Sequence, residues 1–232
     1  MSPAVLAALA AARAEGRAVA LATRLPDGAQ WLLPDPAAPA ALAAAAAGAL
    51  AADRSGTVPI GAESWFLQVQ NPPPRLITVG AVHIAQALAP FAAGLGFALL
   101  VIDPRRAFAT AERFPGVRIS TLWPDEAMEE AKPDAMSAVV TLTHDPKLDD
   151  PALDRALASP AFYIGALGSR KTHAARLARL RALGHGEAAL ARIHGPVGLD
   201  LGAVTAPEIA LSILAEITAR RRGGGVARAA AA

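Results

Sequence analysis

Short apolar runs rich in β-branched residues recur through most of the chain after residue 75, and they constrain its fold more than any other feature. Helical stretches separate them, two of which, THAARLARLRAL and PEIALSILAEITARR, carry apolar residues at three- and four-residue spacing. Strands that are apolar on both faces and alternate with helices predict a parallel sheet covered by helices on both sides. The predicted strands are LITV, ALLVI, VRIS, AVVTLT and FYIGAL.

The chain changes character at QNPPPR, where three consecutive prolines predict a linker. Before it, RAVALATRLPDGAQWLLP predicts two strands joined at a Pro-Asp-Gly turn, and SWFLQVQ predicts a third strand. The alanine-rich APAALAAAAAGALAAD favours a helix. We therefore expect a small α+β piece over residues 1–70, an α/β domain over 71–222 and a disordered tail over 223–232.

Composition excludes several classes of protein. Apolar residues make up 53% of the chain and charged residues 18%, which provides for a core and excludes a disordered chain. The lack of cysteine excludes disulfides, thiolate metal sites and cysteine nucleophiles. A net charge of +2 gives no argument for nucleic acid binding, and the basic end ARRRGGGVARAAAA is interpreted as a solvated tail.

Two segments have features of membrane signals. The N-terminal apolar run has no basic region before it and is interrupted by Arg13, Glu15 and Arg17, so a signal peptide is not expected. The stretch from Leu76 to Ile102 carries no fixed charge and is long enough to cross a bilayer. Because prolines and glycines interrupt it and both its ends are β-rich, a strand–helix–strand unit explains it better, and no membrane span is expected.

The end of the first strand of this sheet resembles a dinucleotide-binding turn. The fingerprint G-x-G-x-x-G/A reads here from Gly80 through Ala81 to His83 and beyond, with Val82 in place of the second glycine. The helix that follows offers free N–H groups and a positive dipole end to an anion. A tight turn at Gly80 and a structural role for His83 are the alternatives.

The second strand ends in DPRR. Asp103 stands at the distance beyond Gly80 where a fingerprint acid binds a ribose hydroxyl. Arg105 beside it could hold a phosphate through two parallel hydrogen bonds. The alternative for Asp103 is a plain turn residue.

After the fourth strand, Thr143, His144 and Asp145 form a polar cluster. A histidine beside a carboxylate can act as a general base or bind a metal, which makes His144 and Asp145 the candidate catalytic residues. The alternative is a turn in which Asp145 caps backbone N–H groups. The following DDPAL predicts a helix start, with Asp150 as cap and Pro151 in the first position.

The fifth strand leads into GALGSRK, which predicts an anion cradle. Gly165, Gly168 and Ser169 allow close approach, helix N–H groups face the ligand, and Arg170 and Lys171 supply positive charge. The spacing of a P-loop is missing. The alternative is a glycine loop with solvated cations.

The last notable stretch is HGPVGLDLGAVTAPEI. Thr205 and Glu208 have the spacing of a capping box, and the glycine-rich part predicts a loop folded near the same strand ends.

Several motifs in order, over about residues 64–221, together resemble the XdhC/CoxI family of xanthine dehydrogenase accessory proteins. They are VGAVHIAQAL, VIDPR, FATAERFPG, VTLTHDPKLDDPAL, FYIGALGSRKTHAARLARLRALG and PVGLDLGAVTAPEIALSILAEI. The resemblance implies a Rossmann-like domain and a cytoplasmic factor, more an accessory protein than an enzyme. Such a factor binds molybdenum cofactor, supports its sulfuration and inserts it into a molybdoenzyme.

The resemblance also implies partners and site residues. The expected partners are a xanthine dehydrogenase-like molybdoenzyme, a cysteine desulfurase and, as one option, a second copy in a homodimer. By motif, the binding site falls on Gly80, His83, Asp103, Arg105, His144, Asp145, Gly165, Gly168, Ser169, Arg170 and Lys171.

Two departures from the family pattern stand out. Family members commonly have glycine where Val82 stands, and longer members carry a Gly-Cys-Glu motif in an N-terminal domain. This chain has no cysteine, so it cannot carry a persulfide, and sulfur must come from a separate desulfurase. Two other functions stay open: an NAD(P)-dependent oxidoreductase with His144 as proton donor or acceptor, and a non-catalytic nucleotide-binding regulatory module.

Overall fold

The structure is a computed structural model that describes residues 2–224. The chain divides into two compact units, and the boundary lies between Pro72 and Pro73. From residue 225 on, the tail predicted to be disordered lies outside the described residues.

The N-terminal unit is a four-stranded antiparallel sheet in the order β2-β1-β4-β3 with two helices. Its elements are α1 (Pro3–Ala14), β1 (Val19–Arg24), β2 (Gln30–Leu33), α2 (Ala40–Ala51), β3 (Gly56–Ile60) and β4 (Glu63–Gln70). The predicted α+β piece is confirmed, with one strand more than expected. Strand β3 contains Pro59, which argues against a strand in sequence, and the structure places β3 at a sheet edge, where proline is tolerated.

The C-terminal unit is a six-stranded parallel sheet in the order β10-β9-β8-β5-β6-β7. Its strands are β5 (Arg75–Val79), β6 (Ala98–Ile102), β7 (Arg118–Ser120), β8 (Ser137–Thr141), β9 (Tyr163–Ala166) and β10 (Ile193–His194). Its helices are α3 (His83–Gly94), α4 (Pro124–Ala131), α5 (Pro146–Ala158), α6 (Arg170–Ala182), α7 (Glu187–Leu190) and α8 (Ala206–Arg222). The predicted Rossmann-like sheet is confirmed, and the two-residue β10 is an addition.

Apolar clusters fill the space on both faces of this sheet. On one face Val140 of β8 packs in a cluster with Leu88 of α3 and Ile213 of α8. On the other face Val139, its neighbour in the strand, packs in a cluster with Leu153 of α5. Because successive strand residues point to opposite faces, β8 is buried along its whole length, as its continuous apolar pattern predicts.

Two helix starts test the capping predictions. The capping box of Thr205 and Glu208 is confirmed at α8. The predicted start at Asp150 and Pro151 is wrong, because α5 begins at Pro146 with Asp145 as its cap and Pro151 lies inside the helix. The carboxylate of Asp150 instead pairs with Arg179 of α6. None of the helices within residues 2–224 has the length and apolar character that crossing a membrane requires.

Candidate functional site

The carboxyl edge of the parallel sheet is the candidate site. The chain runs outward from β5 in both directions, to β6 and β7 on one side and to β8, β9 and β10 on the other. The switch point between β5 and β8 is where open α/β sheets of this kind bind ligands. Apart from Gly165, which lies within β9, the predicted site residues follow β5, β6, β8 and β9, so their loops meet at this edge.

Gly80 lets the loops after β5 and β8 approach each other. Its φ is +112°, and a Cβ there would lie 2.6 Å from Cγ2 of Thr143. Both the backbone conformation and the space therefore require glycine. Val82 is different: it caps α3 in extended conformation, with φ −91°, and packs partly against the core. Nothing in the backbone at position 82 demands glycine. His83 is the first residue of α3 and is exposed.

Asp103 is fully buried and holds the loops after β5 and β6 together. One carboxylate oxygen accepts from the Ala81 N–H (2.8 Å), the other from the Arg105 N–H (3.0 Å), and both accept from the Arg105 guanidinium at 2.7 and 2.8 Å. Burial opposes ionisation, but these bonds outweigh it and lower the pKa of Asp103. The oxygens predicted to bind ribose, and the guanidinium predicted to grip phosphate, thus already bind each other. Their ligand roles stay predictions.

His144 reaches from the loop after β8 to the loop after β9. It is exposed, its φ is +62°, and its Nδ1 lies 3.5 Å from where a Cβ on Gly168 would stand. A histidine in this left-handed region is uncommon, and such conformations concentrate at functional sites. Within residues 2–224, no group of three or more acidic or histidine side chains has the arrangement of a metal site.

Asp145 acts first as a helix cap. Its carboxylate accepts from the Lys147 N–H at 2.9 Å, which is the alternative that the sequence left open, and its own N–H donates to Thr143 Oγ1 at 3.1 Å. The described hydrogen bonds include none between the side chains of His144 and Asp145. Their pairing as a catalytic dyad stays a prediction.

A buried ion pair that the sequence did not predict joins the loops after β8 and β9. Asp149 of α5 accepts from the Thr143 hydroxyl at 2.6 Å and faces Arg176 of α6 at 3.4 Å. Arg176 also donates to the carbonyl of Leu167 at 2.8 Å. Burial raises the pKa of Asp149, and the Thr143 hydroxyl and Arg176 only partly oppose it. In the sequence, Asp149 and Arg176 each look like an ordinary polar residue of a helix, so no motif indicates that they form a pair.

The residues predicted to form an anion cradle lie at the start of α6. Gly168 has φ +139°, and Ser169 caps the helix by accepting from the Thr172 N–H at 3.1 Å. Arg170 and Lys171 are exposed and form no ion pair with any residue that the structure describes. Gly165 lies inside β9, where a Cβ would stand 2.5 Å from Cγ2 of Val197, so packing explains this glycine.

A cleft of about 590 Å³ opens beside the cradle. Arg170 and Leu167 line one side, and the loop after β10, residues 195–203, lines the other together with Ile209 and Ser212 of α8. The glycine-rich loop was predicted to fold near the other strand ends, and it does: it shares this cavity with the loop after β9.

Glu216 of α8 holds the loop after β10 in place through hydrogen bonds. Its carboxylate accepts from the Tyr163 hydroxyl at 2.7 Å and from the Gly198 N–H at 2.8 Å, and it lies 2.7 Å from Nδ1 of His194. Burial opposes ionisation, yet the bonds from His194, Tyr163 and Gly198 lower the pKa of Glu216 to about 2. No sequence signal marks Glu216, because it is a single acidic residue in an amphipathic helix.

Comparison with known proteins assigns the fold to a family. The profile of the XdhC Rossmann domain matches residues 76–217. The chain belongs to the XdhC family. The resemblance seen in the sequence motifs is thereby confirmed, and this XdhC domain contains every predicted site residue.

Three curated relatives share the XdhC region. The Escherichia coli K12 protein named "Uncharacterized protein YqeB" is 38% identical over 72% of this chain and 31% of its own length. A probable xanthine dehydrogenase subunit of Bacillus subtilis 168 is 34% identical over 68% of this chain and 46% of its own. The Escherichia coli K12 "Molybdenum cofactor insertion chaperone PaoD" is 35% identical over 63% of this chain and 40% of its own. The matched region spans less than half of each relative.

A solved structure shares the XdhC fold. The crystal structure of a xanthine dehydrogenase from Bacillus halodurans matches 97% of this chain and 66% of that chain, with a TM-score of 0.74. At 22% sequence identity this likeness shows the fold alone.

Proposed function

We propose that this chain binds molybdenum cofactor and delivers it to a xanthine dehydrogenase-like molybdoenzyme. The observation that supports this most lies at the carboxyl edge of the XdhC sheet. There, His144 in the loop after β8 lies next to Gly168 in the loop after β9, beside the exposed cations Arg170 and Lys171. Two relatives bear the names of a cofactor insertion chaperone and a xanthine dehydrogenase subunit, which favours the same activity here.

The chemistry of the cradle fits the phosphate of such a cargo. At Gly168 the φ of +139° and the 3.1 Å that would separate a Cβ from the Thr172 side chain both favour glycine, and His144 Nδ1 lies 3.5 Å from the same position. Ser169 satisfies the N–H of Thr172, which leaves the N–H groups of Arg170 and Lys171 for an anion. The two side chains add positive charge.

In this proposal the residues bind and orient rather than catalyse. Arg170 and Lys171 hold the phosphate, and the exposed His144 donates to or accepts from the cargo next to it. Asp145 keeps the loop that carries His144 attached to the start of α5. The bound cofactor supplies the molybdenum centre that the receiving enzyme uses.

Sulfuration of the cargo would need a partner. This chain has no cysteine, so a separate cysteine desulfurase would provide the sulfur. We propose that the chain works in the cytoplasm, with the desulfurase and the molybdoenzyme as alternating partners, and that a homodimer is one assembly in which it acts.

The test is cofactor retention after co-expression with a molybdoenzyme. The unaltered protein should purify with molybdenum and pterin and should not reduce NAD with purine or aldehyde substrates. Arg170→Ala and Lys171→Ala should each lower retention about tenfold or more, because a hydrogen bond to a charged group contributes about 1.5–3 kcal/mol. Retention by either variant should also depend less on salt.

The matched control is Arg118→Ala, which removes an exposed arginine at the start of β7, on the opposite edge of the sheet. It should retain cofactor like the parent. Steady NAD reduction by the isolated protein would contradict the proposal and favour the oxidoreductase alternative. Parent-like retention by both cradle variants at low and high salt would show that the cations are only solvated.

A further inference from the structure

We propose that the cleft beside the cradle recognises the 2-amino-4-oxopyrimidine edge of a ring system, with Asp200 as the acceptor. Pterin and guanine share this edge. The inference rests on the proposed function, because it assigns the ring end of the cargo to the cleft while the cradle takes the phosphate.

The size and place of the cleft suit a ligand of this class. Its volume of about 590 Å³ falls within the roughly 300–1,000 Å³ of small-molecule sites. It opens beyond the carboxyl ends of β9 and β10, and Arg170 lines it as well as belonging to the cradle. One ligand can therefore place its phosphate at the start of α6 and its ring in the cleft.

The cleft carries two exposed side chains of opposite charge. Arg170 and Asp200 both line it, and neither forms an ion pair with another residue in the described part of the chain. A carboxylate accepts two parallel hydrogen bonds, which matches the adjacent amino group and ring N–H of a 2-amino-4-oxopyrimidine. The edge of adenine offers a donor beside an acceptor and does not match.

The backbone of the loop supplies donors for the ring oxygen. Over residues 2–224, no hydrogen-bond acceptor is recorded for the N–H groups of Gly202 and Ala203. Leu201 is 55% exposed and lines the same cleft as Ile209, so the two side chains offer an apolar surface to a flat ring. Contact with such a ring would account for the exposure of Leu201.

The loop is held in place before a ligand arrives. The N–H of Val197 donates to the carbonyl of Ala166 at 3.2 Å, and the N–H of Leu199 donates to that of Ser212 at 3.1 Å. Glu216 holds the N–H of Gly198 at 2.8 Å. Because these contacts tie the loop to β9 and α8, binding costs little ordering of the chain.

The experiment is calorimetric titration of the full chain with neopterin, neopterin monophosphate, GMP and AMP. The parent should bind neopterin monophosphate and GMP more tightly than AMP, and the tighter of the two identifies the source of the ring. Asp200→Asn should weaken neopterin, its phosphate and GMP about tenfold or more and leave AMP unchanged. Arg170→Gln should weaken only the phosphorylated ligands.

The control is Glu130→Gln, an exposed acid on α4 that should bind all four ligands like the parent. Equal affinities of parent and Asp200→Asn for neopterin monophosphate and GMP would overturn the inference, as would a parent that prefers AMP. Cofactor retention separates the two proposals. If Asp200→Asn keeps the cofactor like the parent, the cleft proposal fails and the function stands. If the parent retains no cofactor but binds GMP through Asp200, the function fails and the cleft proposal stands.

Discussion

At Val82, a single branched side chain stands where a dinucleotide-binding turn normally has its second glycine. The structure shows it in extended conformation at the start of α3, partly packed against the core, so the fold itself tolerates the valine. In a dinucleotide-binding turn the second glycine lets the pyrophosphate approach the helix N-terminus, and a branched side chain at this position would hinder that approach. Asp103, the other fingerprint residue, has both carboxylate oxygens bound to Ala81 and Arg105. Both residues therefore disfavour NAD.

We expect the unaltered protein to bind NAD and NADP weakly, and Val82→Gly to bind them more tightly. Each interaction regained at the helix end contributes about 0.3–1 kcal/mol, a gain of roughly two- to fivefold. Binding of neopterin monophosphate should hardly change, because the cradle and the cleft lie after other strands. Calorimetric titration of both proteins with both ligands measures this. Tight NAD binding by the parent, or no gain in the glycine variant, would show that Val82 does not control the site.

At the scale of elements, helices α5 and α6 set the position of the loops after β8 and β9 through one buried ion pair. Asp149 and Arg176 are almost fully buried, and they reach Thr143 and Leu167 in the two loops. Breaking such a pair leaves an uncompensated charge, whereas replacing both partners by apolar residues is often tolerated.

Arg176→Leu should therefore lower the free energy of unfolding of the C-terminal unit by about 3–5 kcal/mol. Asp149→Leu combined with Arg176→Leu should recover much of that loss but still lower cofactor retention, because Thr143 loses its acceptor and the loop that carries His144 loses its support. Urea unfolding followed by the NMR signal of Tyr163, the one tyrosine of the chain, reports on this unit. A double variant with full retention would show that the pair only stabilises the fold.

The elements themselves were largely predictable from sequence, and the contacts between them were not. Strands β5 to β9 were predicted because short continuous apolar runs that alternate with helices are typical of buried parallel strands. Strand β3 was missed because of its proline, and β10 because two residues show no period. Glycines and charged residues at strand ends marked the edge that holds the candidate site. The partnerships of Glu216 with His194 and of Asp149 with Arg176 join elements distant in the chain, and no local pattern encodes them.

At the scale of the whole molecule, the two units differ in how their carboxyl groups are held. In the C-terminal unit, Glu216 and Asp103 are buried, and hydrogen bonds lower the pKa of each. In the N-terminal unit, Asp27 is exposed and pairs with Arg24, and that bond lowers its pKa without burial. Acid should therefore act on the C-terminal unit more strongly. Asp149 has the opposite effect on the acid dependence of stability, because burial raises its pKa.

Glu216 offers the clearest test of this difference between the two units. Its pKa falls from 4.5 to about 2 in the folded unit, so its ionised form stabilises folding above pH about 4.5, and this contribution is lost as the pH falls toward 2. The shift corresponds to about 3 kcal/mol at neutral pH. Glu216→Gln should lose about that much stability at pH 7. Between pH 4.5 and 2 it should lose less stability than the parent, because Asp103 still takes up a proton there but position 216 no longer does. Acid unfolding followed by fluorotryptophan NMR separates the units, because Trp31 and Trp65 lie in the N-terminal unit and Trp123 in the other. The Trp31 and Trp65 signals should titrate alike in parent and variant, as an internal control. If the Trp123 signal of the parent shows no greater loss of stability than that of Glu216→Gln over this range, the carboxylate beneath the cleft is not held ionised by Tyr163, His194 and Gly198.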